Sequence, residues 1–270
     1  MTGSLQETVP AIAVTGMAAR FPGAADVEEF WRNLLAGLPA DKAADVDPAG
    51  FDADFFGIGP EEAARMDPQH RMFLECCWHA LEAAGYSPDS LGPRVGALFA
   101  GCSFPAYLVA NLVADPGLAV DARGVAVALA NQPDVLAARA AYHLDLRGPT
   151  LTVQAFSATG LTAVHLAAQS LLLSECDFAI AGAASVRLAE LAQGPVAPSG
   201  SGICAPLEAR ADGPLTGNAA AAVVLRRLDD ALRDGDHIHA VLAGTAVTYD
   251  GGRGGRFGVP TSGAKAEAIA

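Results

Sequence analysis

TLTVQAFSATGLTAVHLAAQSLLLSECDFAIAGA, Thr150 to Ala183, is the stretch whose reading decides the fold. Thr150 to Phe156 favours extended backbone, because β-branched Thr and Val suit a pleated surface. Gly160 to Leu173 is apolar nearly all round, as a helix buried on every side would be. Phe178 to Ala183 is a short apolar run of the kind that fills a buried strand. A strand, a helix and a second strand in that order form one unit of an α/β layer.

The same grammar extends in both directions. Ala11 to Met17 and Val95 to Gly101 read as buried strands, and Val27 to Ala36 has apolar residues at helical spacing. Asp67-Pro68 opens a helix, with Asp as N-cap and Pro in the first turn. One face of that helix is Met72, Phe73, Cys76, Cys77, Ala80, Leu81 and Ala84, and Gly85 ends it. Asn111 to Gln132 reads as loop with a helix in it, and Val135 to Tyr142 as a helix. Gly37 to Gly59 and Ala192 to Thr216 read as loop. Ala219 to Leu225 is a strand, Asp229 to Arg233 a short helix, His237 to Val247 an alternating strand, and the AKAEAIA tail helix-like. Strands alternating with helices predict a mixed, mostly parallel sheet with helices on both faces. No linker divides residues 1–270 into two domains.

Of the 270 residues, 51% are hydrophobic and 6% aromatic. No apolar run reaches the roughly 18 to 20 residues that a membrane helix needs, so no membrane partner is expected. The MTGSLQETVP start has neither a basic n-region nor an apolar core, which points to the cytoplasm. The net charge of −13 comes with no basic cluster, and that disfavours nucleic acid. The five cysteines contain no CxxC pair and read as small buried thiols rather than metal ligands or a disulfide framework.

Ser157 stands in the turn where the Thr150 strand gives way to the Gly160 helix. A nucleophile gains from that position, because the helix N-terminus stabilises an anion. Spacing alone is weak support. The GxSxG elbow is absent, and a Ser at a strand–helix junction is commonly an ordinary N-cap.

Longer motifs are more specific. IAVTGMAARFPGAADVEEFWRNLLAG (Ile12 to Gly37), FDADFFGIGPEEAARMDPQHRMFLECCWHALEAAGY (Phe51 to Tyr86), LRGPTLTV (Leu146 to Val153) and AGTAVTYDGG (Ala243 to Gly252) stand in an order that resembles the N-terminal half of modular type I polyketide synthase ketosynthase domains. The resemblance implies the thiolase-like fold, in which two similar α/β halves stack and share central helices. It also implies chemistry in which a cysteine takes an acyl group from the phosphopantetheine arm of an acyl carrier protein.

The departures lie at the site. The family motif reads roughly TVDTACSSS, whereas this chain reads TVQAFSATG, so Ser157 takes the cysteine position. Gln154, Ala155 and Phe156 precede it, and Ala158, Thr159 and Gly160 follow. Gly217-Asn218-Ala219 stands where the family usually has Gly-Glu-Gly. The sequence ends at Ala270, ahead of the family's two histidine motifs, so the C-terminal half is expected to be absent.

A Ser hydroxyl needs a partnered base to act as nucleophile. Of the six histidines, His165 is nearest in sequence, about two helical turns and at least about 10 Å along the axis away. A structural role is expected for it, and packing rather than ligation for His237 and His239. A protein of this kind would be incompetent for condensation on its own. It would act as a partner or scaffold for a ketosynthase, an acyl carrier protein or a polyketide synthase module, as a homodimer or as a heterodimer with a ketosynthase-like subunit. An apolar central helix without its covering layer implies such a partner. The alternatives are a Ser157-dependent acyltransferase or thioester hydrolase, and an inactive truncated fragment. No bound cofactor or metal is expected beyond the carrier's phosphopantetheine.

Overall fold

The computed structural model describes residues 11–38, 46–112, 122–186, 199–215, 217–252 and 261–270. Its centre is a six-stranded mixed sheet. The strands are β1 (Ile12–Arg20), β2 (Gly96–Cys102), β3 (Thr150–Thr152), β4 (Phe178–Ser185), β5 (Ala219–Arg227) and β6 (Ala240–Leu242), in the order β3-β2-β4-β5-β1-β6. The helices are α1 (Val27–Leu35), α2 (Pro60–Arg65), α3 (Pro68–Ala83), α4 (Ala122–Asn131), α5 (Leu136–His143), α6 (Thr159–Leu172), α7 (Leu228–Asp234) and α8 (Ser262–Ile269). No helix among the described residues is long and apolar enough to cross a membrane.

Alternation along the strands builds two cores. Leu98, Ala100 and Cys102 of β2 and Phe178, Ile180 and Ala184 of β4 face α3 and α5. Ala97, Phe99, Ala179 and Ala181, the residues between, face Ala163, Ala167 and Leu171 of α6. A period of two on strands buried on both faces explains why each strand reads as an unbroken apolar run. Helices therefore cover both faces, as expected.

The sheet is mixed, as expected, but parallel pairing does not predominate in it. β2 runs parallel to β3 and β4, but β5 runs antiparallel to both β4 and β1, and β6 antiparallel to β1. An apolar run carries no direction, and β5 enters between β4 and β1 pointing the other way. Two strands are shorter than predicted. β3 stops at Thr152 because Phe156 turns into left-handed backbone at φ 50°, and β6 covers only three residues opposite Ile12–Val14. The predicted loop at Asn111 to Gln132 contains α4, while 113–121 lie outside the described residues, as do 1–10, 39–45, 187–198, 216 and 253–260.

α3 follows its sequence closely. The Asp67 side chain accepts from Gln69 N at 2.8 Å, and Gly85 takes φ 80° just past the end. All seven residues of the predicted face are buried. At the opposite end of the strands, Arg227 of β5 donates to Leu171 O (3.0 Å) in the last turn of α6 and to Cys176 O (2.7 Å) in the connection to β4. Buried Arg226 donates to Tyr86 Oη, Asp234 and Asp236.

His70, in the first turn of α3, is buried. Its pKa is pushed down to about 3 by burial and then by the nearby positive charge of Arg139. The unfolded chain takes up this proton near 6.5 and the folded one does not, so stability is lost as pH falls from 6.5 toward 3. In that window His70→Gln is expected to flatten the pH dependence of unfolding free energy by up to about 1.4 kcal/mol per pH unit, read from urea melts. Equal slopes in the two proteins would contradict this placement.

Candidate active site

The C-terminal ends of parallel strands β2, β3 and β4 open on one side of the sheet, the usual place for a site in an α/β layer. There a cavity of about 640 Å³ is lined by Gly101 to Phe104 at the end of β2 and just past it, Gln154, Phe156 and Ser157 in the turn before α6, Thr159 and Gly160 at its start, Ala183 to Ser185 of β4, and Ala219 and Ala221 of β5. The turn read from sequence is thus brought to a cavity, except that Ala155 and Ala158 do not line it.

The turn is held by Thr159, not by Ser157. Thr159 Oγ1 accepts from Ala155 N at 2.9 Å and donates to Phe156 O at 2.8 Å, which closes the five-residue loop around Ser157. Val153 N donates to Ala100 O (2.7 Å) and carries the β3 register one residue further. Gly101 makes this possible: a Cβ there would stand 1.9 Å from Val153 O and 2.5 Å from Thr159 Cγ2. The capping role open to Ser157 in the sequence is not realised, because residue Ala158 holds the N-cap of α6 and no side chain caps it. Ser157 is exposed at the cavity edge.

Phe156 is also exposed, at 84%, and its left-handed backbone costs a bulky residue on the order of 1–2 kcal/mol. That strain sits beside Ser157.

No His, Asp, Glu, Lys or Arg stands among the described residues lining the cavity. His165 points elsewhere, with its Nδ1 2.8 Å from Thr245 Oγ1. His237 and His239 are exposed, their rings edge-on at 4.4 Å, so they pack on each other at the surface. Among the described lining residues the one titratable group is Cys102, whose thiol is pushed up to about 12 by burial and then by the charge of Asp67, leaving it protonated and a poor nucleophile. Cys76, Cys77 and Cys176 are buried as expected, whereas Cys204 is exposed and departs from that reading. No group of three or more metal-ligating side chains occurs among the described residues.

α6 is not buried on every side, and it shows the uncovered apolar face expected of a central helix without its second layer. Ala163, Ala167, Ala168 and Leu171 pack on the sheet, but Leu161 (79%) and Leu173 (69%) are open to solvent. Ser103, Phe104, Ala184, Ser185 and Ala221 are cavity residues that the sequence reading did not single out. No local pattern marks them: Ser103 and Phe104 follow β2, Ala184 and Ser185 end β4, Ala221 lies near the start of β5, and only the sheet pairing brings them together.

The comparisons with known proteins agree with this fold. Residues 10–231 match the family model for the β-ketoacyl synthase N-terminal domain. A phenolphthiocerol/phthiocerol polyketide synthase component of Mycobacterium tuberculosis is 40% identical over 96% of this chain, which spans 20% of that protein. A spectinabilin polyketide synthase system protein of Streptomyces orinoci is 39% identical over 90% of the chain and 7% of its own length. The ketosynthase from module 1 of the bacillaene synthase of Bacillus amyloliquefaciens superposes with a TM-score of 0.84 at 32% identity, covering 96% of this chain and 50% of its own. This chain therefore spans about half of a solved ketosynthase and a fifth or less of these curated relatives. By sequence and by fold, the chain belongs to the β-ketoacyl synthase family and represents the N-terminal half of a polyketide synthase ketosynthase fold.

Proposed function

We propose that this chain is a condensation-incompetent ketosynthase-like unit that serves polyketide assembly as a partner or scaffold for a ketosynthase or an acyl carrier protein. One observation carries the reading. The residue at the position where the resemblance implies a cysteine is Ser157, and no acid or base side chain lines its cavity among the described residues.

Condensation begins when a thiolate attacks a carrier thioester, forming one C–S bond as another breaks and the carrier thiol leaves. A hydroxyl is far less acidic and needs a neighbouring base to lose its proton. The positions flanking Ser157, from Gln154 to Gly160, bring none.

The cavity itself persists. Gly101, Phe104, Phe156, Ala183, Ala184, Ala219 and Ala221 give it apolar walls suited to an acyl group or to the apolar reach of a phosphopantetheine arm. The exposed Leu161 on α6 and Leu173 at its C-cap supply a surface for a second ketosynthase-like half or protein.

The test uses the full-length protein with acyl-loaded and malonyl-loaded acyl carrier protein. The expected result is no β-ketoacyl product by mass spectrometry, together with saturable binding of the acyl-loaded carrier. Formation of the β-ketoacyl product would overturn the reading. An acyl adduct or thioester hydrolysis that disappears in Ser157→Ala would replace it with the acyltransferase or hydrolase alternative.

A further inference from the structure

Gln69 is 1% exposed, lies in the first turn of α3 and does not line the cavity, yet its carboxamide is bonded almost wholly to the segments that do. Its Oε1 accepts from Ser103 N (2.9 Å), Ser103 Oγ (2.7 Å) and Val186 N (3.4 Å). Its Nε2 donates to Ser103 O, Phe104 O and Asp67 Oδ2, each at 3.4 Å. The orientation of the amide follows from these partners, because a flip would set its oxygen against three other oxygens.

The placement of these bonds is informative. β2 and β4 run parallel, and their register ends at Cys102 opposite Ala184. Ser103 N still reaches Ala184 O at 3.1 Å, but past that point no further ladder bond joins the two chains among the described residues. Ser103 and Phe104 leave one strand there, and Ser185 and Val186 end the other. Gln69 takes up both ends from behind, where Ser103, Phe104 and Ser185 form two of the walls around Ser157.

We infer that Gln69 is a positioning residue for the Ser157 cavity, setting the separation of the β2 and β4 walls and with it the chain length of the acyl group the cavity accepts. Asp67 supports it from the N-cap: it accepts from Gln69 N and donates its own N–H to Ala130 O, tying the clamp to α4. The inference rests on the reading of the cavity as an acyl site, and the test separates the two.

Ser157→Cys in the full-length protein places a reporter thiol at the cavity. Its labelling rates by N-ethylmaleimide and by a long-chain N-alkylmaleimide are read by peptide mass spectrometry. Their ratio cancels the thiolate fraction and reports the walls. Adding Gln69→Leu is expected to lower the long-chain to short-chain ratio about fivefold, the effect of losing roughly one net hydrogen bond's worth of wall positioning. Gln69→Glu keeps the acceptors for Ser103 and loses the donor side, so its ratio should fall between the two. Cys76, Cys77, Cys102 and Cys176 are buried and stay unlabelled while the fold holds, and exposed Cys204 gives the reference rate.

An unchanged ratio in both Gln69 variants, with the buried thiols protected, overturns the role of Gln69 alone. Labelling of the buried thiols in Gln69→Leu together with a wild-type ratio in Gln69→Glu assigns Gln69 to global stability and overturns it as well. An introduced thiol that neither reagent reaches while Gln69 is intact overturns the acyl-site reading, and this inference with it.

Discussion

Ser157→Cys in the full-length protein is expected to turn a site that forms no acyl adduct into one that does. The reference thiol pKa of about 8.5 leaves about 3% thiolate at pH 7, and a helix N-terminus lowers the pKa further. The position has that helix: α6 starts two residues on, at Thr159, and its N-cap carries no side-chain partner that would already occupy the free N–H groups. It also has access, because residue 157 is exposed on the cavity edge. A thiolate exchanges with a thioester without a separate base, whereas the hydroxyl does not. Acylation by an acyl thioester, followed by intact mass, should therefore rise at least about a thousandfold over the Ser157 protein. A Ser157→Cys variant that stays unacylated would mean that the turn is not an acyl-loading site at all.

Gly101→Ala is expected to destabilise the protein by about 4 kcal/mol or more, toward the extreme of single substitutions. The new methyl would overlap Val153 O at 1.9 Å and Thr159 Cγ2 at 2.5 Å. Neither can retreat. Val153 is fixed by its N–H bond to Ala100 O, and Thr159 by its two bonds inside the turn. Gly160→Ala is the contrasting case, three residues beyond Ser157. Its methyl would meet only Ala183 Cβ at an ordinary 3.5 Å, in the first turn of α6. Relief of glycine's backbone entropy should make that variant about 0.5 to 1 kcal/mol more stable. Urea denaturation measures both, and similar stabilities for the two variants would show that the β3–α6 turn is not packed on β2 as described.

The legible parts of the fold were those governed by local chemistry. α3 could be read because Asp67, Pro68 and Gly85 mark its ends and its apolar residues repeat at helical spacing. β2 and β4 could be read as buried strands because both of their faces are covered. Strand direction could not, since the Ala219 to Arg227 run looks the same whichever way it enters between β4 and β1. The extended look of Val153 to Phe156 misled because local propensity yields to Gly101 and Thr159, which bend the chain early. The alternation from His237 to Val247 has a strand's pattern, but β1 offers it pairing over only three residues.

The site divides in the same way. Ser157 and its turn were legible as a strand–helix junction. The opposite wall was not, because Cys102, Ser103 and Phe104 lie some fifty positions upstream and arrive only through parallel pairing of β2 with β3 and β4. The misread cap has a similar cause. Thr159, rather than Ser157, has the geometry to reach back to Ala155 N and Phe156 O, and this frees the Ser157 hydroxyl to face the cavity edge.

The most direct measurement is the intact mass of the unmodified full-length protein after incubation with an acyl-loaded carrier protein. A hydroxyl without an adjoining base should leave that mass unchanged through many turnovers' worth of time. A covalent acyl increment on the native protein that vanishes in Ser157→Ala would contradict it.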